Sequence, residues 1–205
     1  MILPQKLLYI SQQTPTASHA DNILAACEAG CRWIQLRVKQ GDVTTAAFEA
    51  MDICRSYGAT LSINDHPKIA KNVGAHGVHV GLQDMPVAEA RNIAGPGALI
   101  GGTANTPEDA LAHAAAGADY IGYGPFRFTS TKEKLSPILG ITGYNQLMAA
   151  RPGIPVIAIG GIQLSDIPAI LDTGVYGIAV SGLITHAPDK KSLVQQILDS
   201  IWTNS

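Results

Sequence analysis

A short run apolar on both faces, followed by an amphipathic stretch that often ends at glycine, recurs eight times along this chain. That repetition limits the folds open to it. The runs are "KLLYIS" (6–11), "WIQLRVK" (33–39), "TLSIND" (60–65), "GVHV" (77–80), "LIGGTAN" (99–105), "YIGYGPF" (120–126), "PVIAIGGI" (155–162) and "GIAVSGLI" (177–184). Their β-branched and aromatic content predicts strands. Between them, "ADNILAACEAG", "TTAAFEAMDICRSYG", "PEDALAHAAAG" and "DIPAILDTG" predict helices closed by a glycine in the left-handed C-cap conformation. Strands buried on both faces and alternating with helices imply a parallel sheet. Eight units favour a closed (β/α)8, or TIM, barrel over an open doubly wound sheet. At 205 residues the chain is short for a fold of typically ~250 residues, so most units must be minimal. The exception is the sixth, where the strand-to-strand gap is longest. No linker or low-complexity stretch interrupts the pattern, so residues 1–205 are expected to form a single compact domain.

Composition excludes several classes of function. A net charge of −2 offers no basic field for nucleic acid. No apolar run reaches the ~18 residues of a membrane span. The start, "MILPQKLLYIS", lacks the basic residues, long apolar stretch and cleavage site of a secretory signal, so a cytoplasmic protein is expected. Cys27 and Cys31, i and i+4 on an apparent helix in line with Ile23, read as a core stripe, and Cys54 reads the same way.

In a barrel of this kind, chemistry sits on the loops after the C-terminal ends of the strands. Arg37 and Lys39 close the second run two residues apart, which alternation places on one face. They face either an anion in the mouth or, for Lys39, the solvent at the start of its loop. The third run ends in Asn64 and Asp65, and the fourth leads to Asp84. Two carboxylates from adjacent strand ends suit a hard divalent cation such as Mg²⁺, completed by water and phosphate oxygens; Asp84 could equally cap the following helix. Thr103, Asn105 and Thr106 end the fifth run. There Thr103 can position a polar substrate edge and Thr106 reads as a helix cap before Pro107. After the sixth run, "FTSTK" crowds Thr129, Ser130, Thr131 and Lys132 together, either a phosphate cradle or an exposed loop. Gly160–Gly161 and Ser181–Gly182 follow the last two runs. They either admit a phosphate to backbone N–H groups or pack tightly at the barrel top. Two anion-binding halves would suit two phosphorylated ligands brought together, with the long polar loop lying over both.

The fragments "IQLRVK", "INDHPKIA", "GVHVGLQDMP", "GGTANTPEDA", "GADYIGYGPFRFTSTKEK", "IAIGGI" and "GIAVSGLI" stand in the order and spacing of the thiamine-phosphate synthase (thiamine-phosphate pyrophosphorylase) family, which the chain resembles over nearly its whole length. The resemblance implies a transferase of thiamine biosynthesis. It would join hydroxymethylpyrimidine diphosphate to hydroxyethylthiazole phosphate, giving thiamine phosphate and diphosphate by Mg-assisted dissociative substitution. It implies that Gln35, Leu36, Arg37, Val38 and Lys39 meet the pyrimidine diphosphate, with Arg37 and Lys39 on its phosphates and Asn64 beside them. Asp65 and Asp84 would hold Mg²⁺. Thr103 falls where the family commonly has Ser near the pyrimidine amine. Thr129, Ser130 and Thr131 would bind the thiazole phosphate, Lys132 would reach the diphosphate, and Gly161, Ser181 and Gly182 would offer backbone donors. Arg37, Lys39, Lys132 and Thr103 would thus carry the catalysis. The chain departs from the family at Val38, where Glu is frequent, at His66, where Arg is frequent, in "GPFRF", and at Gly182, where Ser is common. The partners expected are the two small-molecule substrates, with no nucleic acid and no membrane, and homo-oligomerisation is left open. Two rivals remain: a thiazole tautomerase of the same superfamily and a non-catalytic regulator that binds a thiamine precursor. His76 and His79, three residues apart, lie on opposite strand faces and are expected to pack.

Overall fold

The computed structural model describes residues 3–128 and 137–203. Eight parallel strands close on themselves in chain order: β1 (Leu7–Ile10), β2 (Trp33–Leu36), β3 (Thr60–Asn64), β4 (Gly77–Val80), β5 (Leu99–Ala104), β6 (Tyr120–Tyr123), β7 (Val156–Ile159) and β8 (Gly177–Val180). The ring is sealed where β8 pairs with β1, Leu7 opposite Ile178 and Tyr9 opposite Val180. The expected (β/α)8 barrel is therefore what the chain forms.

Strand alternation sorts the core into two layers. Leu8, Trp33, Leu99, Tyr120, Ile157 and Ala179 point inward and, with Leu3, plug the base of the barrel. Leu7, Tyr9, Ile34, Leu36, Leu61, Ile63, Val78 and Val80 point outward into the larger core beneath the helices. Those helices are α1 (His19–Ala29), α2 (Val43–Ser56), α3 (Pro67–Val73), α4 (Val87–Ala94), α5 (Pro107–Ala115), α6 (Gly140–Ala149), α7 (Ile167–Leu171), α8 (Gly182–Thr185) and α9 (Lys190–Thr203). The starts of α1, α2 and α5 are set by side-chain caps that satisfy N–H groups the helix leaves open. Ser18 and Asp21 form a capping box on α1, Thr106 and Asp109 another on α5, and Asp42 accepts from the Thr44 and Thr45 amides at α2. At the end of α1, Gly30 takes φ 115°, a conformation open to glycine and strained for most other residues.

Two expectations need correcting. The strand runs end earlier than read: the second stops at Leu36, and "GLIT" after the eighth is the short helix α8. Pairing with neighbouring strands ends at the barrel mouth, and beyond it no ladder holds the chain extended. Cys31 is not on α1 but follows its Gly30 cap; it is buried all the same, as are Cys27 and Cys54. No helix among the described residues is long and apolar enough to cross a membrane.

Candidate active site

The C-terminal ends of β2 to β5 carry the polar groups. Asn64 ends β3, and its amide Nδ2 donates to the carboxylate of the next residue, Asp65. Asp65 holds φ 62°, a left-handed backbone unusual outside glycine and a mark of functional positions. That turn aims its Oδ1 at Gly81 just past β4, whose N–H it accepts at 3.1 Å. Asp84 folds back on the same glycine: a Cβ on Gly81 would stand only 2.1 Å from Asp84 Oδ2. Both carboxylates therefore lean on one backbone position at one rim of the barrel. Burial, and then the negative charge of Asp84, hold the Asp65 carboxyl above the ordinary range, against the opposing pull of the Gly81 N–H, Arg37 and His66. Helix α4 starts at the Pro86 cap with no side-chain hydrogen bond, so Asp84 does not serve as its cap. A pair of crowded hard oxygen donors fits Mg²⁺, which takes one or two carboxylates and fills its shell with water and phosphate oxygens. Among the described residues, no group of three or more His, Cys, Asp or Glu gathers to form an all-protein cage.

Arg37 lies one residue beyond β2, its amide donating to Ser11 Oγ at 3.2 Å and its charge felt at Asp65. Lys39 is exposed on the following loop, past the reach of strand alternation. Leu36 and Val38 pack into the outer core, so their side chains do not face the mouth. Gln35 is buried inside the barrel. Thr103, pointing inward from β5, meets His79 Nε2 through its Oγ1 at 2.9 Å. Thr106 does cap α5, as the Pro after it suggests.

On the opposite side, the limb after β6 runs along the end of β7. Phe126 N donates to Ile159 O at 2.8 Å and Arg127 N to Gly160 O at 2.9 Å, while Arg127 pairs with Asp166 at 2.6 Å. A Cβ on Gly161, whose φ is 70°, would stand 2.6 Å from Phe128 O. The close approach explains the glycine through packing, and it brings the chain to Gly161 one residue before the threonine run. Thr129, Ser130, Thr131 and Lys132 themselves lie outside the described residues. Ser181 Oγ donates to Gln12 Oε1 at 3.1 Å, and Gln12 Nε2 contacts His186 Nε2 at 2.7 Å, bracing the turn that leads into Gly182 and α8.

The family model described as thiamine monophosphate synthase matches residues 7–184. The chain belongs to the thiamine monophosphate synthase family. It is 49% identical over 201 residues to the thiamine-phosphate synthase of Phocaeicola vulgatus, covering 95% of this chain and 97% of that one. With the thiamine-phosphate synthase of Flavobacterium johnsoniae it shares 47% over 206 residues, 97% of each. The thiamine phosphate pyrophosphorylase from Pyrococcus furiosus superposes with a TM-score of 0.87 at 29% identity, covering 97% of this chain and 96% of that one.

Within this synthase-family barrel, His79 packs as expected, against the Tyr120 ring, and does more than pack. It is buried, but hydrogen-bonded at both ring nitrogens, to Tyr120 on one side and Thr103 on the other. His76 stays outside, where its Nδ1 accepts from the Leu61 amide at 3.0 Å. The available signal for His79 was parity: it stands two residues after Gly77, on the strand face that lines the barrel. Gln12 and His186 carry no such signal, because both lie outside the strands.

Proposed function

We propose that the barrel mouth joins a hydroxymethylpyrimidine diphosphate to a hydroxyethylthiazole phosphate, with departure of diphosphate. Family membership supports the reaction, and the convergence of Asp65 and Asp84 on Gly81 is the observation that carries it to this chain's own residues. The bond from the pyrimidine methylene to the diphosphate oxygen breaks, its electron pair leaving with diphosphate. The exocyclic amine feeds electrons into the ring and stabilises the methylene cation. The thiazole nitrogen then bonds to that carbon through a lone pair. It carries no proton, so no general base is required.

Each half of the mouth then has a role. Asp65 and Asp84 would hold Mg²⁺, which when bound supplies positive charge against the diphosphate. Arg37 and Lys39 add cations beside them, Lys132 would supply a further cation to the diphosphate, and Asn64 orients the Asp65 carboxylate while meeting the ligand. Gln35 and Thr103 face the pyrimidine, and Leu36 and Val38 contribute through their main chain. Thr129, Ser130 and Thr131, with backbone donors at Gly161, Ser181 and Gly182, anchor the thiazole phosphate. Holding the nucleophile beside a stabilised leaving group is the main source of rate for such a reaction.

The deciding experiment mixes both substrates with the purified protein, with and without Mg²⁺, and follows diphosphate. Mg²⁺-dependent release of diphosphate with formation of thiamine phosphate is expected. Thermal stabilisation by the ligands without release would leave a binding protein. Conversion of the thiazole without consumption of the pyrimidine would make it a tautomerase.

A further inference from the structure

Between the apolar base of the barrel and its mouth lies a polar layer. Tyr120 is fully buried, and its hydroxyl meets His79 Nδ1 at 3.1 Å; His79 Nε2 in turn meets Thr103 Oγ1 at 2.9 Å. The three side chains form a continuous line from the barrel centre to a hydroxyl facing the mouth. Neighbours without side chains make room for it. A Cβ on Gly101 would stand 2.1 Å from Tyr120 Cζ, and one on Gly122 would stand 3.0 Å from His79 Cε1. The Tyr120 ring is further held edge-on against Trp33, their centroids 4.9 Å apart.

The hydrogen-bond sense of the line follows from what surrounds its buried end. Ser62 and Gln35 lie beside the Tyr120 oxygen and favour negative charge there, although burial outweighs them and keeps the phenol protonated. Among the described residues, Ser62 Oγ and Gln35 Nε2 are both buried without a hydrogen-bond partner, and that oxygen is the acceptor beside them. The arrangement that satisfies both buried donors has them donating to the Tyr120 oxygen, with the Tyr120 proton directed at His79 Nδ1. A neutral imidazole has one N–H and one acceptor nitrogen. With Nδ1 accepting, the proton is on Nε2 and is donated to Thr103 Oγ1. The hydroxyl proton of Thr103 is then left for the mouth.

We infer that Tyr120 is a positioning residue that, through His79, fixes Thr103 as a hydrogen-bond donor to a ring nitrogen of the aminopyrimidine substrate. This rests on the reaction proposed above. Without the tyrosine hydroxyl the imidazole is free to take the other tautomer. The Thr103 proton then turns inward to Nε2, and the ring nitrogen faces a lone pair instead of a donor.

The test is a mutant cycle on the full-length protein with Mg²⁺ and both substrates. Tyr120→Phe and Thr103→Val should each lower kcat/KM for the pyrimidine diphosphate by about 5- to 10-fold, the loss of one hydrogen bond, and leave KM for the thiazole phosphate unchanged. The double variant should be no worse than Thr103→Val alone, because Tyr120 acts only through Thr103. Thr103→Ser, which keeps the hydroxyl, should retain the full sensitivity to Tyr120→Phe. Multiplying effects in the double variant, or equal changes in KM for both substrates, would overturn the inference. Should Tyr120→Phe not fold, His79→Gln runs the same cycle with the same two outcomes. If the wild-type protein releases no diphosphate, the reaction itself is wrong; if it turns over and Tyr120→Phe matches it, only the role of Tyr120 is.

Discussion

Asp65 concentrates the chemistry proposed for the site in a single residue. Its backbone is left-handed, its carboxylate is half-buried, and a second carboxylate shares the same glycine. A position kept under like-charge strain should cost stability in the metal-free protein and release it when the charge is removed. Asn tolerates the left-handed backbone, so Asp65→Asn isolates the charge from the conformation. The thermal midpoint of metal-free Asp65→Asn should lie above that of the wild type at neutral pH, and Mg²⁺ with diphosphate should raise only the wild type. Turnover should fall by about 10²-fold or more, the scale of losing metal-based charge stabilisation. An equal Mg²⁺ response in both proteins would remove Asp65 from the metal site. Lys132→Ala should lower kcat more than it raises KM for the thiazole phosphate, since the proposed partner of Lys132 is the departing group; steady-state kinetics with each substrate varied separate the two. That Asp65 and Asp84 come together was legible in the sequence, because strand ends on adjacent units are neighbours in any parallel barrel. The His79 line was not. Its partners stand 24 and 41 residues away on other strands, and which inward residues meet across the barrel depends on register, which hydrophobic pattern alone leaves open.

At the scale of elements, the caps were easier to read than the strand ends. Thr106 and Pro107 announce the start of α5 through local chemistry, and the structure adds Asp109, which completes a capping box with Thr106. The Asp109 carboxylate also accepts from the amides of Asn105 and Thr106 at 3.1 and 3.0 Å, which turns the chain away from Thr103 at a defined angle. Thr106→Ala should therefore destabilise the protein by about 1 kcal/mol in urea unfolding. Thr106→Ser should restore the loss, and KM for both substrates should stay at the wild-type value in each. A change in KM as large as the change in stability would mean that the cap steers Thr103 as well as the helix. The apolar runs extend past the C-terminal ends of the strands for a related reason. Apolar content continues past the point where backbone pairing stops, as at Val38, which packs into the core from a loop. Pairing, not composition, ends a strand, and composition is what a sequence displays.

The whole molecule depends on closing the ring, and one hydrogen bond reports on that closure. Eight repeated units made the barrel legible, but not how the first unit is tied to the last. Tyr9 on β1 points outward, fully buried, and its hydroxyl meets Thr185 Oγ1 on α8 at 2.7 Å across 176 residues of chain. Burial, partly opposed by that bond, pushes the Tyr9 phenol from 10.0 up to about 12. The folded protein therefore keeps this proton to higher pH than the unfolded chain does. In that window the unfolded state binds fewer protons, so stability falls as pH rises from about 10 and the loss is complete once the folded phenol ionises near 12. At 1.36 kcal/mol per unit, the full loss is on the order of 2–3 kcal/mol. Tyr120 and Tyr144, also raised by burial, add to the same alkaline slope. Tyr9→Phe should cost about 1 kcal/mol at neutral pH, where only the hydrogen bond is lost. It should also flatten the fall in urea midpoint above about pH 10 by the share Tyr9 carries. Parallel pH profiles for the two proteins would show that Tyr9 ionises as freely in the fold as out of it, and that the seam between β1 and α8 opens before the barrel does.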